Sequence, residues 1–309
     1  MSYTVTVKEE ISKLENTRSE SIAELAGYIR NNKTIESKEL KISTENKFTI
    51  DRILNQIKEL FDIEGTIDII ENLNFSKKNL YQLTIPIQKN ILQKIGLYDN
   101  KNQYIETISN DIIGDNEEIR AYLRGVFSSV GSINDPKTSR YHLELMIPNK
   151  EEAVFVQKLL NDYELNAKIL SREKGYMIYI KEAEKISDFL KIIGASKAVM
   201  YFENIRVYRD KKNITNRLNN MEQANMDRVI ETATLQLEDI KTIEENDGLT
   251  LLDEKVREVV TYRKKYPEAS LKELAEIISI ETNKSITKSG LNHRLRKIKE
   301  LADNFRKMD

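Results

Sequence analysis

The sequence predicts an α+β protein, in which two similar units of helices and strands precede an all-helical C-terminal region. The first part is predicted because one order of helix and strand patterns occurs twice within the first 200 residues. A Leu-x-Gly pattern also lies in the leading helix of each unit. The C-terminal part is predicted because its apolar residues recur at helical spacing. A length of 309 residues accommodates two or three domains.

The first unit is predicted over residues 1–105, including an additional N-terminal helix. Its other helices have amphipathic spacing, and they are predicted over Ser19–Arg30, Thr49–Phe61 and Lys89–Leu97. Its strands alternate apolar and polar residues, and they are predicted over Glu39–Ser43, Thr66–Glu71 and Asn79–Ile85.

The second unit, over residues 106–205, has the same order. Its helices are predicted over Glu117–Val130, Lys150–Tyr163 and Glu184–Gly194. Its strands are predicted over Arg140–Ile147, Asn166–Glu173 and Gly175–Lys181. The repetition predicts a pseudo-twofold pair of αββαββα units, and two unrelated α+β stretches are the alternative.

Gly27 and Gly125 occupy matching helix positions 98 residues apart. Glycine inside a helix costs about 1 kcal/mol relative to alanine. Close approach of another backbone is the natural compensation, so the two helices are expected to pack side by side as the seam between the units. This packing role requires no catalysis.

The C-terminal region divides into a helical connector over residues 206–250 and a three-helix domain over residues 251–309. The connector lacks glycine and proline before the turn at Asn246-Asp247-Gly248, which favours a continuous helix. The domain begins with a helix at Leu252–Arg263. A second helix starts at a capping box, Ser270-Leu271-Lys272-Glu273, and a third starts near Thr287 after a polar segment over Ser279–Ser285.

Positive charge is concentrated in this last domain. Residues 251–309 contain 14 Lys and Arg against 10 Asp and Glu, whereas the preceding 250 residues have a net charge of −5. Lys284–Lys299 contains six basic residues and no acidic one. Three short helices with a basic last helix are typical of a helix-turn-helix that binds double-stranded DNA.

The residues expected to contact DNA have side chains suited to phosphate or to base edges. They are Ser270, Lys284, Thr287, Lys288, Ser289, Asn292, His293, Arg294, Arg296, Lys297 and Lys299. Arg and Asn can make bidentate contacts to bases, whereas Lys288, Arg294 and Lys299 would supply salt-dependent attraction to the backbone. The alternative is a solvated basic face on an ordinary three-helix bundle, and the long segment between the last two helices favours that alternative.

The repeated units resemble the LAGLIDADG homing endonucleases through Leu25-Ala26-Gly27-Tyr28-Ile29 and Leu123-Arg124-Gly125-Val126-Phe127. In that family each motif ends in an acidic residue that holds a divalent metal at the scissile phosphates. The corresponding positions here are Asn32 and Val130, and neither can be an anionic ligand. Glu24 and Asp135 lie outside the motif register. The resemblance therefore implies a scaffold with no catalytic residue and no metal site.

Two further segments, Asn216–Ile243 and Lys288–Ile298, resemble the WhiA family, which joins a degenerate LAGLIDADG body to a helix-turn-helix. The resemblance implies a non-enzymatic DNA-binding protein that acts in cell division and chromosome segregation, as a transcriptional or nucleoid-associated regulator. Cell-division or segregation proteins are possible further partners. An iron-sulfur partner, known for some members, stays open, as do the target DNA sequence and the oligomeric state.

The composition argues against several other classes of function. The absence of cysteine excludes disulfides and thiolate sites, and two distant histidines, His142 and His293, give poor support for a metal or triad site. We expect no cofactor, no membrane span and a cytoplasmic location. An active nuclease with an unidentified acid, and a scaffold whose acidic body docks another protein, are the alternatives to a DNA-binding regulator.

Overall fold

The computed structural model describes residues 2–36, 38–70, 79–138 and 140–307. The chain forms two compact units, Met1–Arg209 and Asp210–Asp309. Among the described residues, no helix is long and apolar enough to cross a bilayer. Glu71, the predicted end of one strand, lies outside the described residues.

The predicted duplication is confirmed in the first unit. Its first half contains α1 (Tyr3–Ile11), α2 (Arg18–Asn31), β1 (Thr34–Glu36), β2 (Glu39–Thr44), α3 (Lys47–Phe61), β3 (Thr66–Ile70), β4 (Leu80–Pro86) and α4 (Lys89–Lys94). Its second half contains α5 (Asn116–Val130), β5 (Gly131–Ile133), β6 (Leu143–Ile147), α6 (Lys150–Asp162), β7 (Lys168–Arg172), β8 (Gly175–Ile180) and α7 (Ala183–Ile192).

Each half has a four-stranded antiparallel sheet, with the equivalent strand orders β1-β2-β4-β3 and β5-β6-β8-β7. The short strands β1 and β5 were not located from the sequence, because three residues are too few to show a clear alternation. The strand predicted from Arg140 begins only at Leu143. In the inner strands the alternation is clear, since Leu143, Leu145 and Ile147 are all buried.

The helices α2 and α5 form the expected seam. A Cβ atom built on Gly27 would lie 2.3 Å from the Tyr122 carbonyl oxygen, and one on Gly125 would lie 2.0 Å from the Glu24 carbonyl oxygen. Because real Cβ atoms essentially never approach another atom this closely, only glycine permits this separation of the two backbones.

The same kinds of N-cap occur on equivalent helices of the two halves. Thr17 with Glu20 forms a capping box on α2, and Asp115 with Glu118 forms one on α5. Asn46 likewise caps α3, where its side chain accepts from the Thr49 backbone, and Asn149 caps α6 in the same way.

One corner of the seam differs between the halves. Three residues before its glycine, α2 carries Glu24, which is 1% exposed and pairs with Arg52 of α3 at 2.5 Å and with Arg124 of α5 at 3.3 Å. At the equivalent place α5 carries Tyr122, whose ring packs against Phe155 with the ring centroids 6.4 Å apart. A buried ion pair therefore fills one corner, whereas the other holds the Tyr122 ring and its hydroxyl, which donates to the buried Glu152 carboxylate.

The C-terminal unit has a separate core. The helix α8 (Ser196–Glu245) is followed by a 3₁₀ turn (Gly248–Leu251) and by α9 (Glu254–Lys265), α10 (Leu271–Thr282) and α11 (Lys288–Arg306). Apolar residues from each of the four helices meet in this core, among them Ile240, Val259, Ile278 and Leu295. The predicted start of α9 at Leu252 was two residues early, because Asp253 is the N-cap and accepts from the Val256 N–H at 2.9 Å.

Candidate nucleic-acid interface

The segment between α10 and α11 is shorter than the sequence predicted. α10 continues to Thr282, and Asn283 then adopts a left-handed conformation with φ 53°. The Ser279 hydroxyl, expected to lie in a loop, instead donates to the Ala275 carbonyl at 2.7 Å and accepts from the Ile286 N–H at 3.0 Å. The turn thus has five residues, 283–287. Its length therefore gives less support to an ordinary three-helix bundle than the longer segment predicted from the sequence.

Two predicted contact residues are caps of these helices. Ser270 caps α10: its hydroxyl accepts from the Glu273 N–H at 3.3 Å, while its own N–H donates to the Glu273 carboxylate at 2.8 Å. The Ser270 backbone N–H holds the pKa of Glu273 below its ordinary value. Thr287 caps α11 by accepting from the Gly290 N–H at 3.1 Å. Both hydroxyls accept in these caps, and the Ser270 hydroxyl also bonds to the Glu273 carboxylate, which lowers the pKa of Glu273 further.

Three of the predicted basic residues lie against acids of the first helix of the domain. Lys284 and Arg294 approach Glu258 at 3.7 and 3.8 Å, and Lys297 lies 3.3 Å from Asp253. The pKa of Asp253 is lowered, first by the Val256 N–H and then by Lys297. Exposed pairs of this kind contribute little to stability, because solvent screens them.

The remaining residues of α11 fall on two parts of its exposed surface. Asn292, Arg296 and Lys299 recur at helical spacing and line a groove of about 590 Å³, whose opposite wall is α8. That wall contributes Leu235 and Glu238, among other residues. Lys288, Ser289 and His293 are exposed near the start of α11.

A second cavity, of about 240 Å³, joins the start of α10 to the start of α11. Its charged lining residues are all basic: Arg228, Arg263, Lys272 and Lys288. Ser270 also lines it, and we call these five residues the basic cleft. Arg263 is 1% exposed, and one of its Nη atoms donates to the Tyr266 and Ala269 carbonyls. Burial lowers the pKa of Arg263.

Three members of the basic cleft were missed as contact residues. Lys272 lies in the first turn after the capping box, and that position was a usable signal. Arg228 was visible only as one of many polar residues in the connector, and Arg263 fell within the predicted inner helix. Their proximity comes from the packing of α8, α9 and α10, which periodicity does not reveal.

In the body, the two motif ends serve structural roles. The Asn32 side chain donates to the Ser43 carbonyl at 2.7 Å and so ties the end of α2 to β2. Val130 is partly buried against the core. Glu24 is held in its ion pairs, and Asp135 accepts from the Tyr201 hydroxyl at 3.3 Å. Across residues 2–36, 38–70, 79–138 and 140–307, no three His, Asp or Glu side chains form a group that could hold a metal ion.

The two histidines have different surroundings. His142 stacks on Tyr179 with the ring centroids 6.2 Å apart, and its Nε2 lies 3.1 Å from the Glu144 carboxylate. His293 is exposed on α11. The contacts of His142 with Tyr179 and Glu144 are those of a structural side chain.

Comparison with protein families accounts for nearly the whole chain. Residues 18–98 match the WhiA N-terminal LAGLIDADG-like domain, residues 119–212 the WhiA LAGLIDADG-like domain, and residues 215–302 the WhiA C-terminal HTH domain. The chain belongs to the WhiA family. Both resemblances inferred from the motifs, to the LAGLIDADG scaffold and to WhiA, are thereby confirmed.

Full-length relatives agree with this assignment. The "Probable cell division protein WhiA" of Staphylococcus epidermidis is 42% identical, with 99% of this chain and 98% of the relative covered. The protein of the same name from Enterococcus faecalis is 40% identical, with 99% of each chain covered. The crystal structure of full-length DUF199/WhiA from Thermatoga maritima matches with a TM-score of 0.61 and 26% identity over 99% of each chain.

Proposed function

We propose that this WhiA-family protein is a non-enzymatic DNA-binding regulator of cell division and chromosome segregation. It acts on transcription or on nucleoid organisation in the cytoplasm. The observation that carries the proposal is the basic cleft, where four basic side chains and no acidic one line a cavity between the starts of two helices. The match to an HTH domain over residues 215–302 supports the same function.

The cleft suits a backbone phosphate. Free N–H groups and the positive end of the helix dipole favour an anion at a helix N-terminus, and both α10 and α11 begin beside this cavity. Lys272 and Lys288 add exposed ammonium groups, which attract phosphate. A phosphate bound here would orient α11 on the duplex.

Base contacts would then come from α11. Asn292 and Arg296 carry the amide and guanidinium groups that make bidentate contacts to adenine and guanine, and Ser289 and His293 lie on adjoining exposed surface. The groove wall formed by α8 limits how the edges of the bases reach Asn292 and Arg296. Lys299, in the same groove, would add attraction to the backbone.

Lys284, Arg294 and Lys297 would have a smaller role, because each must leave an acidic partner before it can bind phosphate. The exposed ion pairs are weak, so this exchange reduces their contribution to DNA binding without abolishing it. Thr287 contributes mainly by capping α11.

The test of this proposal is a substitution that removes one positive charge from the cleft. Lys288→Gln should weaken binding to all duplexes alike and reduce the slope of log affinity against log salt by about 1. Arg296→Ala should also relax base preference at one position, with a loss of about 1–3 kcal/mol for the preferred sequence. Fluorescence anisotropy with labelled duplexes over a series of salt concentrations measures both quantities.

Lys307→Gln is the matched control, because it removes the same charge from an exposed residue that lines neither cavity. If Lys288→Gln and Lys307→Gln have equal effects, the cleft does not hold a phosphate. If Lys288→Gln and Arg296→Ala both bind like wild type, α11 is not the recognition helix.

The absence of catalysis is proposed from the two motif ends. Two-metal hydrolysis requires an anionic ligand from each helix, whereas Asn32 is bound to the Ser43 carbonyl and Val130 is apolar. Supercoiled plasmid incubated with the protein in Mg²⁺ or Mn²⁺ should remain supercoiled. Cleavage that disappears in a single variant such as Asp135→Asn would make the chain a nuclease.

Contact between the body and division or segregation proteins is a second proposal. It is supported by the charge balance of residues 1–209, which contain 30 Lys and Arg against 31 Asp and Glu and therefore have no excess positive charge to attract DNA. Crosslinking in cells, compared between the wild-type chain and its Lys288→Gln variant, should recover the same protein partners. Partners that vanish together with DNA binding would contradict a direct contact.

A further inference from the structure

The basic cleft contains more positive charge than one backbone phosphate can neutralise. Its four basic side chains line a cavity of about 240 Å³, and no acidic side chain lines it. Each backbone phosphate of DNA carries one negative charge. Sites that enclose a drug-sized ligand have volumes of about 300–1,000 Å³, so this smaller cavity suits one compact anion. The charge of the cleft therefore favours an anion that is more highly charged than a backbone phosphate.

The most buried charge of the cleft, Arg263, has no counter-charge. It is 1% exposed, and one of its Nη atoms donates to the Ala269 carbonyl at 2.7 Å. Its Nε is buried without a hydrogen bond, and within the described chain its second Nη atom has no hydrogen bond or ion pair. Buried charges are ordinarily paired, because an unpaired charge is costly to remove from water. An anion in the cleft would supply the missing charge.

A second buried arginine shows what Arg263 lacks. Arg124 pairs with the Glu24 carboxylate at 3.3 Å. Burial lowers the pKa of both arginines, and Glu24 opposes this shift at Arg124, whereas no carboxylate of the described residues opposes it at Arg263. The C-terminal unit thus holds a guanidinium in a buried position without the partner that such a group normally has.

The other anion-binding groups lie close to Arg263 because α10 begins beside it. Ala269, whose carbonyl accepts from Arg263, immediately precedes Ser270, the N-cap of α10. The first N–H groups of this helix have no partner within it, and Lys272 lies in its first turn. Lys288, at the start of α11, lines the same cavity. The buried guanidinium and two exposed ammonium groups therefore converge on one small volume.

The acid nearest to the cleft in sequence is engaged elsewhere. Glu273 does not line the cavity, and its carboxylate accepts from the Ser270 N–H at 2.8 Å. That N–H holds the pKa of Glu273 below its ordinary value. The negative charge of Glu273 is therefore used to cap α10, and it leaves Arg263 unpaired.

We propose that the basic cleft binds a diphosphate group, either free pyrophosphate or the end of a nucleotide, in competition with the DNA backbone. Arg263 contacts one phosphate, while Arg228, Lys272 and Lys288 neutralise the remaining charge. A nucleoside attached to the diphosphate lies outside the cavity, which is too small to enclose the whole ligand. The competition rests on the proposed function of the cleft, whereas the binding of the diphosphate does not.

Isothermal titration calorimetry of the full chain with sodium pyrophosphate, in buffer without magnesium, measures the binding. Pyrophosphate should bind at one site and more tightly than sodium phosphate, because its charge is higher. Sodium sulfate at equal ionic strength should not reproduce this binding. Adenosine diphosphate distinguishes the two sources of the group: equal affinity indicates a nucleotide end, and no binding indicates free pyrophosphate.

Substitutions at the cleft assign the site. Lys272→Gln and Lys288→Gln should each raise the Kd for pyrophosphate about tenfold, which corresponds to the loss of one hydrogen bond to a charged group. Lys307→Gln removes the same charge outside the cleft and should leave the Kd unchanged. Arg263→Lys keeps the charge but loses the planar fork, and it should also weaken binding. If Arg263→Lys does not fold, the two lysine variants still test the site.

Competition is measured by fluorescence anisotropy with a labelled duplex. Pyrophosphate should displace the duplex at the concentrations that saturate the cleft, and sulfate at equal ionic strength should not. The inference is overturned if the two anions displace the duplex equally, or if Lys272→Gln and Lys288→Gln bind pyrophosphate like wild type. If pyrophosphate does not bind but Lys288→Gln still weakens DNA binding, this inference fails and the proposed function stands. Pyrophosphate that binds in the cleft without displacing the duplex would instead contradict a DNA phosphate at this position.

Discussion

Gly125→Ala is the most demanding test of the fold, because a Cβ atom on Gly125 would lie nearer to another backbone atom than a Cβ atom on any other glycine. An alanine Cβ at this position would lie 2.0 Å from the Glu24 carbonyl oxygen, 2.9 Å from the Glu24 carbonyl carbon and 3.0 Å from the Tyr28 nitrogen. Ordinary van der Waals contact begins at 3.4 Å, so α2 and α5 would have to separate by roughly 1.4 Å. All three obstructing atoms belong to backbone, which cannot rotate away.

Two opposing terms set the size of the effect. Alanine is favoured over glycine inside a helix by about 1 kcal/mol. Overpacking of a well-packed core costs about 1–3 kcal/mol, and the rigid backbone places this site at the upper end. The expected net loss is about 2 kcal/mol in the free energy of unfolding, which lowers the Tm of a unit of this size by about 4–8 °C.

Differential scanning calorimetry measures this change, with Gly290→Ala as the control. The nearest atoms to a Cβ on Gly290 are 3.4 and 3.9 Å away, so alanine there should raise stability by about 0.5–1 kcal/mol. A Gly125→Ala chain that unfolds at the wild-type temperature or above would show that the two helices do not meet at their glycines.

Two further predictions concern buried carboxylates of the body. Glu24→Gln leaves Arg52 and Arg124 without their counter-charge in a buried corner, so the free energy of unfolding should fall by about 3–5 kcal/mol in urea titrations, and an effect below 1 kcal/mol would contradict the ion-pair geometry. Glu152→Gln should have the opposite sign, because burial raises the pKa of Glu152 and the folded state therefore loses stability as the pH rises above the ordinary glutamate range. The glutamine variant should match wild type in acid and exceed it increasingly towards neutral pH, whereas a difference independent of pH would refute the desolvation argument.

Much of the fold was predictable from short-range patterns. The helical periods of α3, α5 and α6, the strand alternation of β6 and β8, and the matched glycines all depend on residues close in sequence. The errors occurred where the local signal is short or ambiguous. β1 and β5 have three residues each, and the end of α10 depends on Asn283 and on the Ser279 hydroxyl rather than on periodicity.

The candidate interface was predictable only in part. The concentration of positive charge in Lys284–Lys299 is a property of the sequence. The sequence does not reveal which of these charges is paired, because Glu258 and Asp253 approach them from another part of the domain. For the same reason Arg228 and Arg263 were missed, since they join Lys288 only through the packing of separate helices.

Residue identity and local period were sufficient to predict the duplicated α+β scaffold and the basic character of the last helix. They also give the non-acidic residues Asn32 and Val130 at the expected motif ends, which stays a prediction about catalysis. Tertiary packing was needed to show that one seam corner holds Glu24 with two arginines while the other holds Tyr122 with Phe155. Packing likewise brought Arg228 and Arg263 to the same cleft as Lys288. Burial and side-chain pairing depend on residues distant in sequence, and a local pattern carries no information about those neighbours.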